Sequence, residues 1–496
     1  MPSVDDPAVE GTSRLIGGPW GRRAMARPAS WWWTPLRIAL GLTVLVTVLA
    51  YAQKSSCLGA NGYVNEHQYT ELCYADTYAL YSAEGLNVRT NSAGQVTGRL
   101  SVPYRDHAVE YPPVIGGLMW LAADVTNAVR PGQPTASGSD DRGRTFFDLT
   151  ALGLAACALV STWSVAQLAG RQRMWDAVMV AASPVLLLHA FTNWDLAAVA
   201  VTGLGLWAWS RGSPAATGAL LGVGIATKLY PVLIVLALLM LCARAGKWRP
   251  AATLLGTTVA SVVLTYLPAV LISKPFPFPD ASCPGAYPLS GWRWFTSLSQ
   301  TRGADWGSVW LILQQVTGHP LDRNLVCGQA PAVLNGVAAL AVGVLIAGVA
   351  ALVVVAPRRP RVPQVAFLLV AGFVMLNKVD SPQYALWLVP LAVLARPRWT
   401  AILVWQLSEV VLGAANLYVL ISQDRYYQGL PMGWYLAFIG LRDVILAGLM
   451  ALVVRDALHP EYDVIRADGV DDPAGGVLDG APDATRRSGT RVLASR

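Results

Sequence analysis

The sequence predicts an all-α polytopic transmembrane protein with about 12 spans. Of its 496 residues, 54% are hydrophobic and only 14% are charged, and the mean hydropathy is +0.44. Apolar runs recur along nearly the whole chain, and positive residues cluster at alternate ends of these runs. A soluble protein carries roughly 25% charged residues, so the composition leaves no room for a large soluble domain.

Each long apolar run is interpreted as a membrane span, and several are shorter than the roughly 20 residues that a helix needs to cross alone. Short helices of this kind are typical of proteins that surround a membrane cavity. The predicted spans cover approximately 34–52, 146–169, 175–190, 195–210, 214–227, 229–243, 250–271, 331–356, 363–376, 384–396, 398–420 and 433–454.

The positions of arginine and lysine test this order of spans. Positive residues precede the first span and follow the second, fourth, sixth, eighth, tenth and twelfth. By the positive-inside rule these ends, and both termini, lie in the cytoplasm. The residues are Arg22 to Arg37, Arg171, Arg173, Arg211, Arg244, Lys247, Arg249, Arg358, Arg359, Arg361, Arg396, Arg398 and Arg455.

The chain divides into three predicted regions. Residues 1–30 and 456–496 are polar and are predicted to be disordered cytoplasmic tails. The transmembrane domain covers 31–455, with long outer loops over about 53–145 and 272–330. In the first loop, Tyr111 to Val129 contains about ten consecutive apolar residues, too few to cross, so we expect an interfacial or re-entrant helix there.

The cysteines agree with this sidedness. Cys57 and Cys73 lie in the first outer loop, and Cys283 and Cys327 lie in the second. Two pairs outside the cytoplasm predict two disulfides, Cys57–Cys73 and Cys283–Cys327, in an oxidising compartment. Four free thiols are the alternative, because connectivity cannot be deduced from sequence alone.

Three polar segments interrupt the apolar runs on the predicted outer side. They are Asn193-Trp194-Asp195, Thr227-Lys228-Leu229-Tyr230-Pro231 and Asn377-Lys378-Val379-Asp380-Ser381-Pro382-Gln383-Tyr384. Lipid does not tolerate such charges, so these segments must line water, a cavity or a substrate. The arrangement is typical of a membrane enzyme or transporter with a site at one face.

The first outer loop adds two acids. Asp76 precedes Leu80 and Tyr81 at a spacing that favours a short amphipathic helix on the membrane surface. An acid at that position suits a general base, although a lone aspartate is more often a helix N-cap or a solvated carboxylate. Glu110, next to Tyr111, either contacts substrate or ends the loop.

The cations each have a second interpretation as well. Lys228 either binds substrate or extends to the membrane interface, and Lys378 either binds substrate or pairs with Asp380 beside it. Asp195 is either an N-cap and helix-dipole partner or a sugar ligand beside an aromatic platform. Arg302 precedes Val309, Trp310 and further apolar residues that predict another interfacial helix. Cations at headgroup depth favour a lipid-linked phosphate as ligand.

Other classes of ligand fit poorly. The net charge of +7 follows from membrane topology rather than from a nucleic-acid surface. The sequence has no glycine-rich phosphate loop of the kind that binds a soluble nucleotide sugar. Its five histidines are scattered and lack the spacing of metal ligands. The sequence therefore predicts no nucleic-acid partner, no metal and no cofactor.

Five strings together resemble the actinobacterial glycosyltransferase family 87, over about residues 50–455. They are the three polar segments, Val109-Glu110-Tyr111-Pro112 and Arg302-Gly303-Ala304-Asp305-Trp306-Gly307-Ser308. The resemblance implies a C-type glycosyltransferase fold in the bacterial plasma membrane. It also implies a polyprenyl-phosphate sugar donor, with mannose the favoured sugar, and an inverting transfer at the extracytoplasmic face to a cell-envelope glycolipid or glycan.

The resemblance also implies roles for individual residues. Asp76 matches the first-loop acid that acts as the base, and Asp195 matches the second-loop acid. Lys228, Arg302 and Lys378 match the motif cations, which we expect to bind the donor phosphate. Glu110, Tyr111 and Gln383 complete the predicted substrate-binding residues.

A lipid or glycolipid transporter is the main alternative. It would use the same charges along a substrate path. Transporters that work by alternating access have their site near the bilayer midplane, and many are built from inverted repeats. The sequence shows no such repeat, and its polar segments favour one face. A non-catalytic scaffold of the cell envelope is a third reading, against which Asp76 and the three cations argue.

Overall fold

The fold is almost entirely helical in the computed structural model. The structure describes residue 7 and residues 33–58, 63, 66–86, 88–90, 96–130, 141–279, 283, 285–322, 328–424, 428–467 and 469–481. The predicted all-α membrane class is confirmed. In chain order the α-helices are α1 (Pro35–Ser55), α2 (His67–Thr70), α3 (Asp76–Ala83), α4 (Pro113–Val129), α5 (Asp141–Leu168), α6 (Val178–Ala181), α7 (Pro184–His189), α8 (Asp195–Ser210), α9 (Pro214–Ile225), α10 (Pro231–Ala245), α11 (Trp248–Ile272), α12 (Trp294–Thr301), α13 (Val309–Thr317), α14 (Ala332–Val355), α15 (Val362–Leu376), α16 (Ala385–Ala395), α17 (Trp399–Asp424), α18 (Met432–Leu458) and α19 (Val464–Ala467).

Two length classes of apolar helix make up the bundle. Within the described residues, six helices are long and apolar enough to cross a membrane: α1, α5, α11, α14, α17 and α18. The shorter apolar helices are α4, α8, α9, α10, α15 and α16. Helices α8, α10, α15 and α16 are buried along most of their length, whereas α11 and α14 expose most of theirs. The rest of the protein shields the buried helices from lipid, so none of them has to span the bilayer alone.

One predicted span is wrong as a continuous helix. Residues 175–190 form the end of a 3₁₀ helix (Arg171–Ala177) and the two short helices α6 and α7. The break falls at Ser183-Pro184, where the proline has no N–H to continue a helix and the Ser183 hydroxyl accepts from Leu186 N at 3.1 Å. The serine therefore caps a new helix in the middle of the apolar run.

The two loops that were predicted to lie outside contain small antiparallel hairpins. Strand β1 (Val88–Thr90) pairs with β2 (Val96–Leu100), and β3 (Pro275–Phe278) pairs with β4 (Tyr287–Ser290). Helix α4 lies in the first loop, where an interfacial or re-entrant helix was predicted. Further 3₁₀ turns cover Gly291–Arg293, Pro382–Tyr384, Pro460–Tyr462 and Gly476–Leu478.

Small residues set the closest helix packing in the bundle. Gly218 and Gly222 lie one turn apart on α9 and face α11. A Cβ atom on Gly222 would lie 2.5 Å from Ser261 Cβ, and one on Gly218 would lie 2.4 Å from Leu254 O. The Ser261 hydroxyl also donates to Ala219 O at 2.7 Å. Close backbone approach of this kind is how helices associate in lipid, where no hydrophobic force draws them together.

The C-terminal segment differs from the predicted disordered tail. Residues 459–481 pack against the ends of α8, α15 and α16, and Asp463 pairs with buried Arg361 at 2.7 Å. The Asp472 carboxylate accepts from Val362 N at 2.7 Å, and Gly476 lies against the Trp209 carbonyl. Carboxylates and backbone atoms anchor this segment rather than a periodic apolar face, which is why its composition indicated disorder. Residues 482–496, and residues 1–30 apart from residue 7, lie outside the described chain.

Candidate active site

The predicted polar segments meet at one end of the helical bundle. Asn193 precedes α8, Lys228 joins α9 to α10, and Lys378 joins α15 to α16. Asp76 opens α3, in the loop that follows α1 and was predicted to lie outside. The cluster therefore lies at the ends of the short buried helices, opposite the end that contains Arg361.

Asp76 is the acid at the centre of the cluster. Its carboxylate is half-buried and accepts hydrogen bonds from Tyr74 OH at 2.8 Å and from Asn193 Nδ2 at 2.7 Å. Ala75 is the N-cap of α3, and the Asp76 side chain bonds to these two side chains instead of capping the helix. Burial and the charge of Asp76 raise the pKa of the Tyr74 phenol, which therefore stays protonated as a donor.

The segment before Asp76 is fixed from three sides. The Asp76 N–H donates to Thr192 O at 2.7 Å. Buried Lys54 at the end of α1 donates to the carbonyls of Leu72 and Tyr74 at 3.2 and 2.9 Å. A disulfide joins Cys57 to Cys73, as predicted, with their Cα atoms 6.0 Å apart. The position of Asp76 is therefore determined by side chains from α1 and by the segment before α8.

The second predicted disulfide, Cys283–Cys327, is described at one end only. Cys283 is disulfide-bonded, and its predicted partner Cys327 lies outside the described residues. In the described chain, Cys57, Cys73 and Glu71 are close enough together to hold a metal ion, but the first two share the disulfide. That group therefore offers no thiolate ligands.

Asn193 is the hub of the site, and sequence analysis missed its role. Its amide nitrogen donates to Asp76 and, at 2.8 Å, to Tyr111 OH, while its oxygen accepts from Lys228 Nζ at 3.1 Å. One buried side chain thus joins the predicted base to two predicted substrate-binding residues. Its place directly before Trp194 and Asp195 in a polar string was the signal available in the sequence.

Lys228 and Asp195 form a buried pair behind Asn193. Lys228 Nζ lies 3.4 Å from Asp195 Oδ1, which also accepts from Trp387 Nε1 at 2.7 Å. The lysine lies over the rings of Tyr111 and Tyr384, at 5.1 and 5.9 Å from their centroids. Asp195 is fully buried and does not cap α8, whose N-cap is Trp194. Asp195 bonds to Lys228 and Trp387 from the first turn of α8, where a carboxylate also faces the positive end of the helix dipole. Its role as a sugar ligand stays a prediction.

Arg302 and Glu110 form the exposed edge of the site. The guanidinium lies 3.4 Å from the Glu110 carboxylate, and each side chain is nearly half exposed. The Glu110 N–H donates to the buried carboxyl of Glu84 at 3.2 Å. Burial raises the pKa of Glu84 to about 8, so at neutral pH this carboxyl is mostly protonated. Glu110 adjoins Tyr111 along the chain, which links this edge to the Asp76 cluster.

Lys378 is buried under the same edge. Its ammonium donates to the carbonyls of Gln300, at 2.9 Å, and Arg302. The predicted ion pair with Asp380 is not formed, because Asp380 pairs instead with Arg442 of α18 at 2.6 Å. Gln383 is also buried, next to Tyr384, which stacks on Trp387 with ring centroids 4.0 Å apart. The eight predicted site residues therefore lie around one region, some exposed and some buried.

An apolar groove of about 270 Å³ begins beside the cluster, between α4, α5 and α8. Leu121 and Val125 of α4, Leu154 and Cys157 of α5, and Trp194 line it. The ring of Trp194 meets that of Tyr111 edge-on, at a centroid distance of 5.7 Å. An apolar surface therefore reaches the residues that surround Asp76.

Comparison with known proteins finds one matching family. A family model described as Glycosyltransferase family 87 matches residues 143–377. The resemblance to glycosyltransferase family 87 is confirmed. The family 87 segment contains Asp195, Lys228 and Arg302, and it ends one residue before Lys378. Asp76 lies before the matched segment, so this match does not bear on its predicted role as the base.

One solved structure is similar over much of the chain. It is the archaeal oligosaccharyltransferase AglB from Archaeoglobus fulgidus, in complex with an inhibitory peptide and a dolichol-phosphate, with a TM-score of 0.37 and 11% sequence identity. The similarity covers 94% of this chain and 62% of that one. No curated protein matches the chain. The family 87 match supports glycosyltransferase activity, and the apolar helices make the chain a multi-pass membrane protein.

Proposed function

We propose that the protein transfers a sugar from a polyprenyl-phosphate donor to a cell-envelope glycolipid or glycan, with inversion at the anomeric carbon. One observation carries this proposal: the half-exposed Asp76 carboxylate is joined through Asn193 and Tyr111 to the edge at which Glu110 holds the exposed cation Arg302. The family resemblance favours mannose as the sugar. The proposal requires neither a metal nor a nucleotide cofactor.

Asp76 is the general base of the proposed reaction. It takes the proton of the acceptor hydroxyl while that oxygen forms a bond to the anomeric carbon of the donor sugar. The bond from this carbon to the phosphate oxygen breaks, and its electron pair leaves with the phosphate. Asn193 and Tyr74 each donate to one carboxylate oxygen. They therefore orient Asp76 and leave its remaining lone pairs for the acceptor.

Arg302 and Lys378 are the proposed phosphate ligands. Arg302 is exposed and makes only a 3.4 Å contact with Glu110, while carbonyl oxygens hold the Lys378 ammonium. Positive charge fixed in place where the leaving group gains negative charge contributes most in the transition state. Lys228 already pairs with Asp195, so we assign it a positioning role for Asn193 and Tyr111, plus a longer-range electrostatic one.

Two observations support an extracytoplasmic site. The positive-inside rule assigns the arginine-rich ends of the spans to the cytoplasm, and the cluster lies at the opposite ends. The Cys57–Cys73 disulfide lies in the same loop as Asp76, and disulfides persist in oxidising compartments. In this orientation both termini are cytoplasmic, and the donor enters from the outer leaflet of the plasma membrane.

The apolar groove beside Trp194 supports a lipid-linked substrate. Its lining lacks charged side chains and borders the Asp76 cluster. A transporter is the alternative function, but the charged residues of the candidate site lie at one end of the bundle rather than near its middle, where alternating access requires a site.

The test is transfer of radiolabelled mannose from polyprenyl-phosphate-mannose into membrane lipids and glycans. We expect Asp76→Asn to lower the rate by roughly 10²–10⁴-fold, the usual contribution of a general base, with normal expression and folding. Glu71→Gln, an exposed acid of the same loop, is the matched control and should keep wild-type transfer. Full activity in Asp76→Asn would move the base to Asp195 or Glu110. No transfer by wild type would favour other donor sugars or the transporter.

A further inference from the structure

Arg442 is a fully buried arginine in the third turn of α18, and the proposed reaction has so far given it no role. Its guanidinium lies 2.6 Å from the Asp380 carboxylate and 2.9 Å from that of Asp443, with Glu409 at 3.7 Å. It also donates to the carbonyl of Gly307 at 2.9 Å. A charge at this depth is expensive, so in membrane proteins it usually serves a function.

Two of these contacts reach out of the bundle to different loops. Gly307 belongs to the loop over residues 302–308, and Asp380 belongs to the loop over residues 377–381. The loops also bond to each other, through Asp305 N to Lys378 O at 2.8 Å and Gly307 N to Asp380 O at 3.3 Å. A Cβ atom on Gly307 would lie 2.7 Å from Asp380 O, so the loops are in direct contact.

Helices α17 and α18 hold this pair of loops in place. Tyr435 OH donates to Trp306 O at 2.7 Å and accepts from Asn416 Nδ2 at 2.8 Å. Trp405 Nε1 donates to Glu409 at 2.9 Å, which fixes one of the acids that face Arg442. The loops are therefore attached to the helices at Trp306, at Gly307 and at Asp380.

These loops contain both proposed phosphate ligands. Arg302 begins the first loop, and Lys378 lies in the second, where its ammonium donates to the Arg302 carbonyl. A shift of either loop on α18 would change the distance between the two cations and their distance from Asp76. The contacts that hold the two loops together therefore set the positions from which Arg302 and Lys378 would bind a phosphate.

We propose that Arg442 is a positioning residue that fixes the 302–308 and 377–381 loops on α18 and so sets the spacing of Arg302 and Lys378 for a lipid-linked phosphate. This inference rests on the proposed function, because the donor phosphate is the ligand being positioned. The planar guanidinium can donate to Gly307 and Asp380 at once, in a geometry that a lysine ammonium does not reproduce.

The kinetic test uses full-length protein with Arg442→Lys and, independently, Gly307→Ala, which adds a methyl group between the loops. We expect each variant to lower kcat/KM for the donor by on the order of 10²-fold, the cost of a displacement of about 1 Å. The KM for the acceptor should stay at its wild-type value. Arg396→Lys is the matched control, because Arg396 is also buried in an ion pair, with Asp456, at the other end of the bundle.

A second measurement does not depend on activity. Hydrogen exchange of the amides in residues 302–308 and 377–381 should be faster in Arg442→Lys than in wild type, and unchanged in Arg396→Lys. If Arg442→Lys shows wild-type kinetics and wild-type amide exchange, the inference is overturned. It is also overturned if kcat/KM falls equally for donor and acceptor while amide exchange is no faster. If Arg442→Lys does not fold, Gly307→Ala decides the same question. If wild type transfers no sugar, the proposed function fails, while exchange still decides whether Arg442 holds the loops.

Discussion

Lys228 and Lys378 are both buried lysines, but their partners give them different chemistry. Lys228 faces the Asp195 carboxylate at 3.4 Å and two aromatic rings, which balance its charge within the protein. Lys378 donates to carbonyl oxygens, which bind an ammonium without neutralising it. An added phosphate therefore gains more from Lys378 than from Lys228.

If Lys378 binds the donor phosphate as proposed, donor binding depends on pH. Burial lowers the pKa of its ammonium to about 8, and the nearby charge of Arg302 acts in the same direction. The side chain is cationic below that pH and neutral above it. We expect the KM for the donor to rise as pH increases from 7 to 9.5, and Lys378→Arg to abolish this rise because arginine stays charged.

Loss of stability at Lys378 would not explain a rise of the donor KM at high pH. Between about pH 8 and 10.5, the unfolded chain binds a proton at Lys378 that the folded chain does not, so this group makes the fold more stable as pH rises. Thermal unfolding at each pH provides the control. A donor KM that stays constant in wild type from pH 7 to 9.5 would contradict the role of Lys378 as a phosphate ligand.

Charge explains most of the predicted site residues, whereas Tyr111 and Gln383 were included through the family resemblance. Asp76, Lys228 and Lys378 stood out because an ionised group beside an apolar run needs a partner or water. Asn193 carries no charge, so its hub position became visible only in three dimensions. The pairing of Asp380 with Arg442 was missed because Lys378 is two residues from Asp380 in sequence, whereas Arg442 is far along the chain.

At the scale of helices, the contact between α9 and α11 depends on the absence of side chains. We expect Gly222→Ala to lower the free energy of unfolding by about 1–3 kcal/mol, the usual cost of overpacking, because its methyl group would meet Ser261 and the Thr258 carbonyl. Denaturant or thermal unfolding in detergent would measure it. Sugar transfer at low temperature should persist, because no proposed site residue lies at this contact.

Gly256 of α11 offers a matched control. A Cβ atom there would meet nothing within 4 Å, so Gly256→Ala should leave stability unchanged or raise it slightly through better helix propensity. Equal effects of the two substitutions would show that propensity, and not close packing, governs this helix pair.

Most helix positions could be predicted because lipid imposes one rule on every span. The predicted span over 195–210 coincides with α8, and the other apolar runs match helices to within a few residues, except the run over 175–190. There the apolar composition continues through Ser183-Pro184, but the hydrogen bonds of the helix do not. Hydropathy reports burial in lipid or protein and carries little information about local backbone breaks.

Across the whole molecule, the two ends of the bundle use buried charge for different purposes. At the end with Asp76, Arg302 and Glu110 are partly exposed, and the charges are proposed to serve the reaction. At the other end, Arg361 binds Asp463 and the carbonyls of Leu394 and Ala395, and so attaches the C-terminal segment to α15 and α16. Sequence composition could not reveal this attachment, since a few specific ion pairs do not alter the polar character of residues 456–481.

We expect Asp463→Asn to destabilise the fold by roughly 3–5 kcal/mol, because it removes the carboxylate that pairs directly with the buried Arg361 guanidinium. Thermal or denaturant unfolding in detergent would measure this loss. Well below the unfolding temperature, the KM for the donor should equal that of wild type, since Asp463 lies at the end of the helices opposite Asp76. The stability and the chemistry of the chain would then respond to different ends of the same bundle.

Asp479→Asn is the matched control, because Asp479 is an exposed acid in the same C-terminal segment. Its effect on stability should stay within about 0.5 kcal/mol, as for most surface substitutions. Wild-type stability of Asp463→Asn would contradict the attachment and return residues 456–481 to the disordered tail that their composition predicts. A raised donor KM in Asp463→Asn would instead show that the two ends are coupled through the short buried helices that connect them.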